Sequence, residues 1–507
     1  MRWTLHREVS LAVLARARTE ADHHEDLGCS VLGPASRPVR RAQAELKSLM
    51  AKLGAEESAR EGANLIKWLE QRPRYSALCT SRRRAGRRVL RPEFLFPDAR
   101  ETRPRFLHLR KGGQGLDIRV KRDEWPAFWD LFATLAAGAS PAEFRGRTTQ
   151  HFVSELKRAR WLVPHQEPVR LPKTGALFVG HNTTLFCTPT AKILVDPYFR
   201  PASPFDLPGY QPMHPRDLQH VDAVLITHTH GDHFHLGSLL QLPRDVRIFV
   251  PAIGRESLFS TDCVLRLRQL GFTNVEALTW GKERTIGDAT IRALPFYGEQ
   301  PTDDVGVYGS LLNEGNTWLI RSPNFSAAFF ADSGRDMRGD MAQVCREVRK
   351  SGHVDVLFTG IRGFRLKPLF FGFTTLDAFL VNVPLGDLTR PQQLMASPEE
   401  AMQYADILDA RYVVPCADGG APWYWREGMG PKYPGFPGEL VVGASDLPEN
   451  PDADPYPERL LDIPSPRAKP LLLRPGEAFA WRKDRARVLR YDGFKWPYVE
   501  RARELFR

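Results

Sequence analysis

The sequence predicts an α/β catalytic domain preceded by a smaller α+β domain, and three observations carry that reading. An apolar run, residues 221–226, leads directly into His228, His230, Asp232 and His233. Four to eight apolar residues that stop at a polar cluster describe a buried strand delivering its end to a site. Further short apolar runs recur between residues 168 and 430, interspersed with turns and a helical stretch. Ahead of them, residues 76–167 place short strand-like pieces before helices, a different order that marks a separate unit.

A chain of 507 residues accommodates roughly two to four domains. No apolar run reaches the roughly 18 residues that span a bilayer, so no membrane partner is expected. The N-terminal residues 1–7 contain no apolar stretch with a small-residue cleavage site, and no signal peptide is read there. The six cysteines form no CxxC pair, which fits a reducing cytoplasm better than a disulfide framework. The formal charge of +11 fits either an acidic partner or an arginine-rich solvated surface. No motif of interleaved aromatic and basic residues accompanies the charge, so nucleic acid is not an expected partner.

In chain order, residues 1–75 read as a helical segment. Apolar residues recur at helical spacing over 41–53 and 56–71, and the Gly- and Pro-rich stretch 33–38 interrupts them. Residues 76–167 form the small α+β domain. The arginine run 82–88 reads as a solvated loop, followed by strand-like pieces at 89–96 and 105–109. A helix follows over 123–135, with Asp123 placed to cap it, and another runs through 152–159. This order resembles the small winged-helix peptide-recognition domain of ribosomal-peptide modification systems, which would bind a leader peptide at its sheet edge. A packing or homodimerisation role fits the same pattern.

The catalytic domain is expected over 168–430. Residues 176–186 read as two paired strands, and 193–195 as a strand ending at Asp196. Later come a strand at 246–251, a helix at 265–270 stopped by Gly271, and a strand at 289–294. Residues 327–331 run into Asp332, and 410–415 lead to Cys416 and Asp418. Residues 431–507 read as a C-terminal extension, loop-like over 433–470.

Alternating His228 and His230 suit one ion, and Asp232 with His233 a second, because imidazole and carboxylate bind zinc, iron or manganese. An HxHxDH stretch behind a hydrophobic strand resembles the first metal motif of the metallo-β-lactamase fold, over roughly residues 171–425. That resemblance implies an αββα sandwich with a dinuclear site at one sheet edge. It implies that Asp332 bridges the ions, that His181 lies near them, and that Asp196 orients a ligand.

Two departures narrow the function. Hydrolytic members carry a histidine where this chain has Glu299, and a last histidine after a late strand, whereas no histidine follows His353 here. The last position is left to Asp418, water or His181, with Cys416 a softer donor. A carboxylate at 299 makes the site harder, which favours iron or manganese over zinc. Together with residues 294–298, Leu-Pro-Phe-Tyr-Gly, it makes the chain resemble the diiron β-hydroxylase of chloramphenicol biosynthesis. The resemblance implies a non-haem diiron oxygenase that hydroxylates or N-oxygenates an amino-acid-like substrate, free or held on a carrier protein or peptide. His228, His230 and Glu299 would hold one iron, Asp232 and His233 the other, with Asp332 between them and Asp418 as a further donor. It would use two Fe ions, O2 and an external electron donor, since no ferredoxin-like cysteine set is present. Phe364, Phe370, Phe371, Phe373 and Phe379 would either wall the pocket or pack a core. The alternative is a dinuclear zinc or manganese hydrolase, in which bridging hydroxide attacks an ester, amide or phosphodiester.

Overall fold

The computed structural model describes residues 2–14 and most of 79–199, 213–300, 312–366, 392–417 and 457–491. The first of these are extended. Trp3–Leu5 forms β1 and Ser10–Leu14 forms β2. This corrects the expected helix at the start of 1–75: β2 buries alternate side chains, Leu11 and Val13, and a period of two is a strand's period. The helices expected over 41–53 and 56–71 lie outside the described residues. The arginine run is a second correction. Cys79–Arg84 (β3) and Arg87–Leu90 (β4) pair as an antiparallel hairpin, not an irregular loop.

Phe106–Lys111 (β5) and Gln114–Arg119 (β6) form another hairpin, and β2 pairs antiparallel with β5 to give a three-stranded sheet. The first helix, α1, spans Trp125–Ala136 and buries Trp125, Phe128, Trp129 and Phe132. Pro126 occupies its first turn, where a missing N–H costs no helical bond. The cap position falls on Glu124 rather than Asp123, and the Glu124 carboxylate accepts the N–H of Lys121 instead. Helix α2 spans Arg147–Arg158, and Leu162–Pro164 (β7) returns to pair with β1.

The sandwich begins with the meander Gly175–Gly180 (β8), Thr183–Cys187 (β9) and Lys192–Val195 (β10). Ala223–Leu225 (β11) adds parallel to β10 and leads, past the HxHxDH turn, to the short helix Leu236–Leu239 (α3). Arg247–Pro251 (β12), helix Cys263–Leu270 (α4) and Val275–Leu278 (β13) continue the sheet. Asp262 caps α4 by accepting the Leu265 N–H, and Gly271, at φ 97°, ends it in the left-handed conformation.

A second meander comprises Glu283–Ile286 (β14), Ala289–Pro295 (β15), Asn316–Ser322 (β16) and Phe325–Ala331 (β17). A small hairpin, Arg335–Asp336 (β18) with Gly339–Asp340 (β19), precedes helix Met341–Arg349 (α5). Val356–Thr359 (β20) lies parallel to β17, and Arg365–Leu366 (β21) pairs with Gln392–Gln393 (β22). Helix Pro398–Leu408 (α6) opens on a reciprocal cap between Ser397 and Glu400. Tyr412–Pro415 (β23), Lys469–Pro470 (β24), Glu477–Arg482 (β25) and Arg485–Leu489 (β26) complete the strands.

The strand orders are β13-β12-β11-β10-β9-β8-β25-β26 and β14-β15-β16-β17-β20-β23-β24. Between the two sheets lies one apolar layer, with Phe178, Phe186 and Phe249 facing Trp318, Phe325 and Phe329. The outer face of the second sheet is covered by α5 and α6. Central strands buried on both faces explain why they read as unbroken apolar runs. Residues 469–489, expected to belong to an extension, are part of the sandwich: β24 joins one sheet, and β25–β26 joins the other through β8.

The N-terminal unit packs directly on the outer face of the first sheet. Val13, Leu107, Trp129 and Phe132 share one core with Leu236, Leu239 and Leu267. The Trp129 indole N–H donates to Leu242 O at 2.8 Å, and Arg7 forms a two-pronged pair with Asp217 at 2.6 and 2.9 Å. Helix α3 meets β2 at Gly237, where a Cβ would fall 1.7 Å from Leu11 O. Among the described residues no helix is long and apolar enough to cross a membrane.

Candidate metal centre

Strand β11 ends at the site because its exit is tied to both sheets. Ile226 N–H donates to Phe249 O, Asn316 N–H donates to Thr227 O, and the Trp318 indole donates to Ile226 O. Gly315 lets the second sheet close on this turn, since a Cβ there would lie 2.9 Å from Thr227 O and 3.0 Å from His228 Cβ. Four other strand ends arrive in the left-handed region without glycine: His181 (φ 53°), Asp196 (φ 42°), Ala331 (φ 49°) and Ala417 (φ 67°). Such conformations cost about 1–2 kcal/mol each in L-residues and gather where a structure holds side chains in place for function. At β17 the pairing with β20 is irregular between Phe329 and Ala331, and the bulge turns the chain into Asp332.

Two groups of donors result. His228, His230 and Asp332 place ligand atoms within 4.8 Å of one another, and so do His181, Asp232 and His233. Asp332 adjoins both, with Oδ2 3.3 Å from His233 Nε2 and 4.0 Å from His228 Nε2. His228 Nε2 lies 3.0 Å from His230 Nδ1, and its ring stacks on Phe296.

Asp196 sits fully buried behind this surface. It accepts the Thr227 N–H at 2.7 Å, the Thr227 hydroxyl at 2.5 Å, the Asn182 amide at 2.5 Å and His233 Nδ1 at 2.8 Å. A carboxylate only accepts, so Nδ1 of His233 carries the proton and Nε2 faces the site.

The donor set fits a cation. His233 Nε2 and Asp332 Oδ1 are buried without a hydrogen-bond partner among the described residues. Burial drives His228 well below the usual imidazole pKa, and His233, His230 and His181 add repulsion, so the ring stays neutral and competent to bind metal. Burial opposes charge on His233 as well, but Asp332 and Asp232 outweigh it and hold its pKa well above the ordinary value. A cation at Nε2 therefore displaces a proton. Burial likewise opposes charge on Asp232, yet His233 and His181 keep its carboxyl well below the usual range.

Glu299 and Asp418 lie outside the described residues, as do Phe364, Phe370, Phe371, Phe373 and Phe379. The flanks of Glu299 are fixed. Gly298 N–H donates to Asp336 at 3.0 Å, which Arg338 holds at 2.9 Å. The Gln300 side chain donates to Gly298 O and Asn313 O and accepts the Asn313 N–H. His181 was one of several sequence candidates for the last position, and here it stands with Asp232 and His233. His214, His220 and His235 are engaged elsewhere; His235, for example, caps α3 by accepting the Ser238 N–H.

Residues 191–416 match the Beta-lactamase superfamily domain. The chain carries a β-lactamase-superfamily domain. Its paired sheets and outer helices form the αββα sandwich of the metallo-β-lactamase fold, with a small α+β unit in front. The crystal structure of CmlA, a diiron β-hydroxylase from Streptomyces venezuelae, superposes with a TM-score of 0.55 at 19% identity. The match covers 97% of this chain and 100% of that one, so the shared fold includes the N-terminal unit. A curated relative from the same organism, the 3-hydroxylase of 4-amino-L-phenylalanyl on the CmlP peptidyl carrier protein, is 34% identical over 145 residues. That alignment covers 28% of this chain and 25% of the hydroxylase. A UPF0173 metal-dependent hydrolase of Herpetosiphon aurantiacus is 32% identical over 84 residues, 16% of this chain and 32% of the hydrolase. The β-lactamase-superfamily match excludes β8, β9, β25 and β26, although all four belong to the sandwich.

Proposed function

We propose that the chain is a non-haem diiron oxygenase that hydroxylates or N-oxygenates an amino-acid-like substrate presented on a carrier protein. The observation that carries the reading is the donor set: two groups of imidazole and carboxylate meeting at Asp332, with Glu299 in place of a histidine. A carboxylate in place of an imidazole favours iron or manganese over zinc. His228, His230, Glu299 and Asp332 would hold one ion, and Asp232, His233 and the shared Asp332 the other. Two bound irons would supply O2 activation, drawing electrons from an external donor.

The protein's own groups set the stage for that chemistry. Asp196 and Thr227 fix the His233 ring, and Phe296 covers one face of His228. Fully buried Trp318 and Phe296 keep the inner side of the site dry. The clamp on Gly298 and Gln300 would fix the backbone from which Glu299 reaches the first ion. The carrier-bound substrate rests on the printed name of the Streptomyces hydroxylase and on the net charge of +11, which suits an acidic partner. Cys187, Cys263 and Cys345 are buried free thiols, which suits a reducing cytoplasm.

The test is metal analysis of protein purified from cells supplied with iron, zinc and manganese together, followed by O2 uptake with aminoacyl-carrier substrates. About two irons per chain and substrate-dependent uptake are expected. Two zincs would put the hydrolase reading first, the reading that the Herpetosiphon relative favours.

A further inference from the structure

The two ions are unequally supplied. The first draws on His228, His230 and Asp332, with Glu299 assigned to it above. With His181 set aside, the described residues offer the second only Asp232, His233 and a share of Asp332, fewer than the four donors that structural zinc sites take. No imidazole is available from the later strands. The chain has fourteen histidines and none beyond His353, which is exposed and faces Asp355 at 3.3 Å, at the start of β20.

His181 sits where a donor is lacking. Its Nε2 lies 3.2 Å from Asp232 Oδ2, and its ring meets His233 edge-on with centroids 4.9 Å apart. The side chain is 3% exposed, so its imidazole is directed inward. Its backbone is held in the left-handed region at φ 53°, and its carbonyl accepts the N–H of Ala417 at 2.9 Å. The end of β8 and the end of β23 are thus joined at one corner of the site. A ligand leaving β8 reaches the same corner as one leaving β23.

We propose that His181 is a ligand of the second ion, completing with Asp232 and His233 a donor set to which the later strands bring no imidazole. The assignment rests on the dinuclear reading above but not on the reaction, because either an oxygenase or a hydrolase needs the second ion held.

The test uses the full chain, stripped of metal and titrated anaerobically with cobalt(II), followed by calorimetry and visible absorption. Two variants separate ligation from folding. His181→Gly suits a left-handed backbone and leaves a space the shape of an imidazole. His181→Asn also tolerates that backbone but fills the space without a ring nitrogen. The thermal midpoint and circular dichroism of each metal-free variant check its fold.

Wild type should take up two equivalents. His181→Gly should keep the first at unchanged affinity and bind the second at least about 100-fold more weakly, beyond the 10–100-fold typical of lost supporting groups. Added imidazole should restore the second equivalent and its absorption in His181→Gly but not in His181→Asn. A second equivalent bound equally tightly by His181→Gly would overturn the proposal and leave the dinuclear reading standing. So would a loss that imidazole cannot restore, which would mark a structural role. Fewer than two equivalents in wild type would overturn both.

Discussion

Asp196→Asn isolates the group behind His233. The carboxylate is fully buried and accepts from four donors: Thr227 N and Oγ1, Asn182 Nδ2 and His233 Nδ1. An amide replaces one acceptor oxygen with an NH2 group, which must face donors. On either choice of flip, Thr227 N or the donors clustered on Oδ2 lose their partner. Leaving one or two buried donors unsatisfied costs about 1–3 kcal/mol each, and the buried anion that holds His233 is lost as well. The expected total is about 3–5 kcal/mol, a sizeable part of the roughly 5–15 kcal/mol that stabilises a typical fold. The left-handed backbone at 196 does not confound the result, because asparagine tolerates that conformation. Thermal and urea unfolding of the metal-free chain reads the stability, and cobalt titration reads the site. Metal affinity should drop about 10–100-fold, the usual cost of removing a ligand's supporting partner. A variant with an unchanged midpoint and affinities within about twofold of wild type would refute the reasoning that Asp196 orients the ligand.

Glu299→His should move the metal found in mixed-metal preparations from iron toward zinc; an unchanged ratio would remove Glu299 from the donor set. Gly237→Ala should force β2 away from α3, because its Cβ would overlap Leu11 O, and limited proteolysis should then release the N-terminal unit more readily than in wild type. His214 gives a pH dependence at the same joint. Burial, with Arg7, Arg216 and His6 adding repulsion, holds its pKa well below the usual 6.5. The unfolded chain therefore binds the proton first, so stability is full above about pH 6.5 and falls as pH drops, by up to about 1.4 kcal/mol per unit. His214→Gln should flatten the fall of the thermal midpoint between pH 7 and 5, and a parallel slope in both proteins would count against it.

The sandwich was legible because its strands are buried on both faces and its site motif is contiguous. Val224 and Leu225 run into His228 within a few residues, and Phe329 and Phe330 run into Asp332 in the same way. What escaped were pairings between distant segments. Nothing local marks β25 as the neighbour of β8, because Phe479 and Ala176 become partners only once the sheet closes. Strand β2 was hidden for a related reason: its five residues gain their meaning from β5 and Gly237, far along the chain. At the site, spacing could pair His228 with His230 but could not bring His181 to Asp232. That approach depends on the left-handed turn at the end of β8.

The β25–β26 hairpin bears on how the chain is made. Its partner, β8, leaves the ribosome about 300 residues earlier, at roughly 5–20 residues per second. For that interval β8 has one strand edge unpaired, beside a nearly finished sheet. The nascent sandwich is open to pairing with the wrong strand for as long as the hairpin is missing. A truncation after residue 430 would make that exposure permanent, so fragments cut to the catalytic core should collect as aggregates while the full chain stays dispersed.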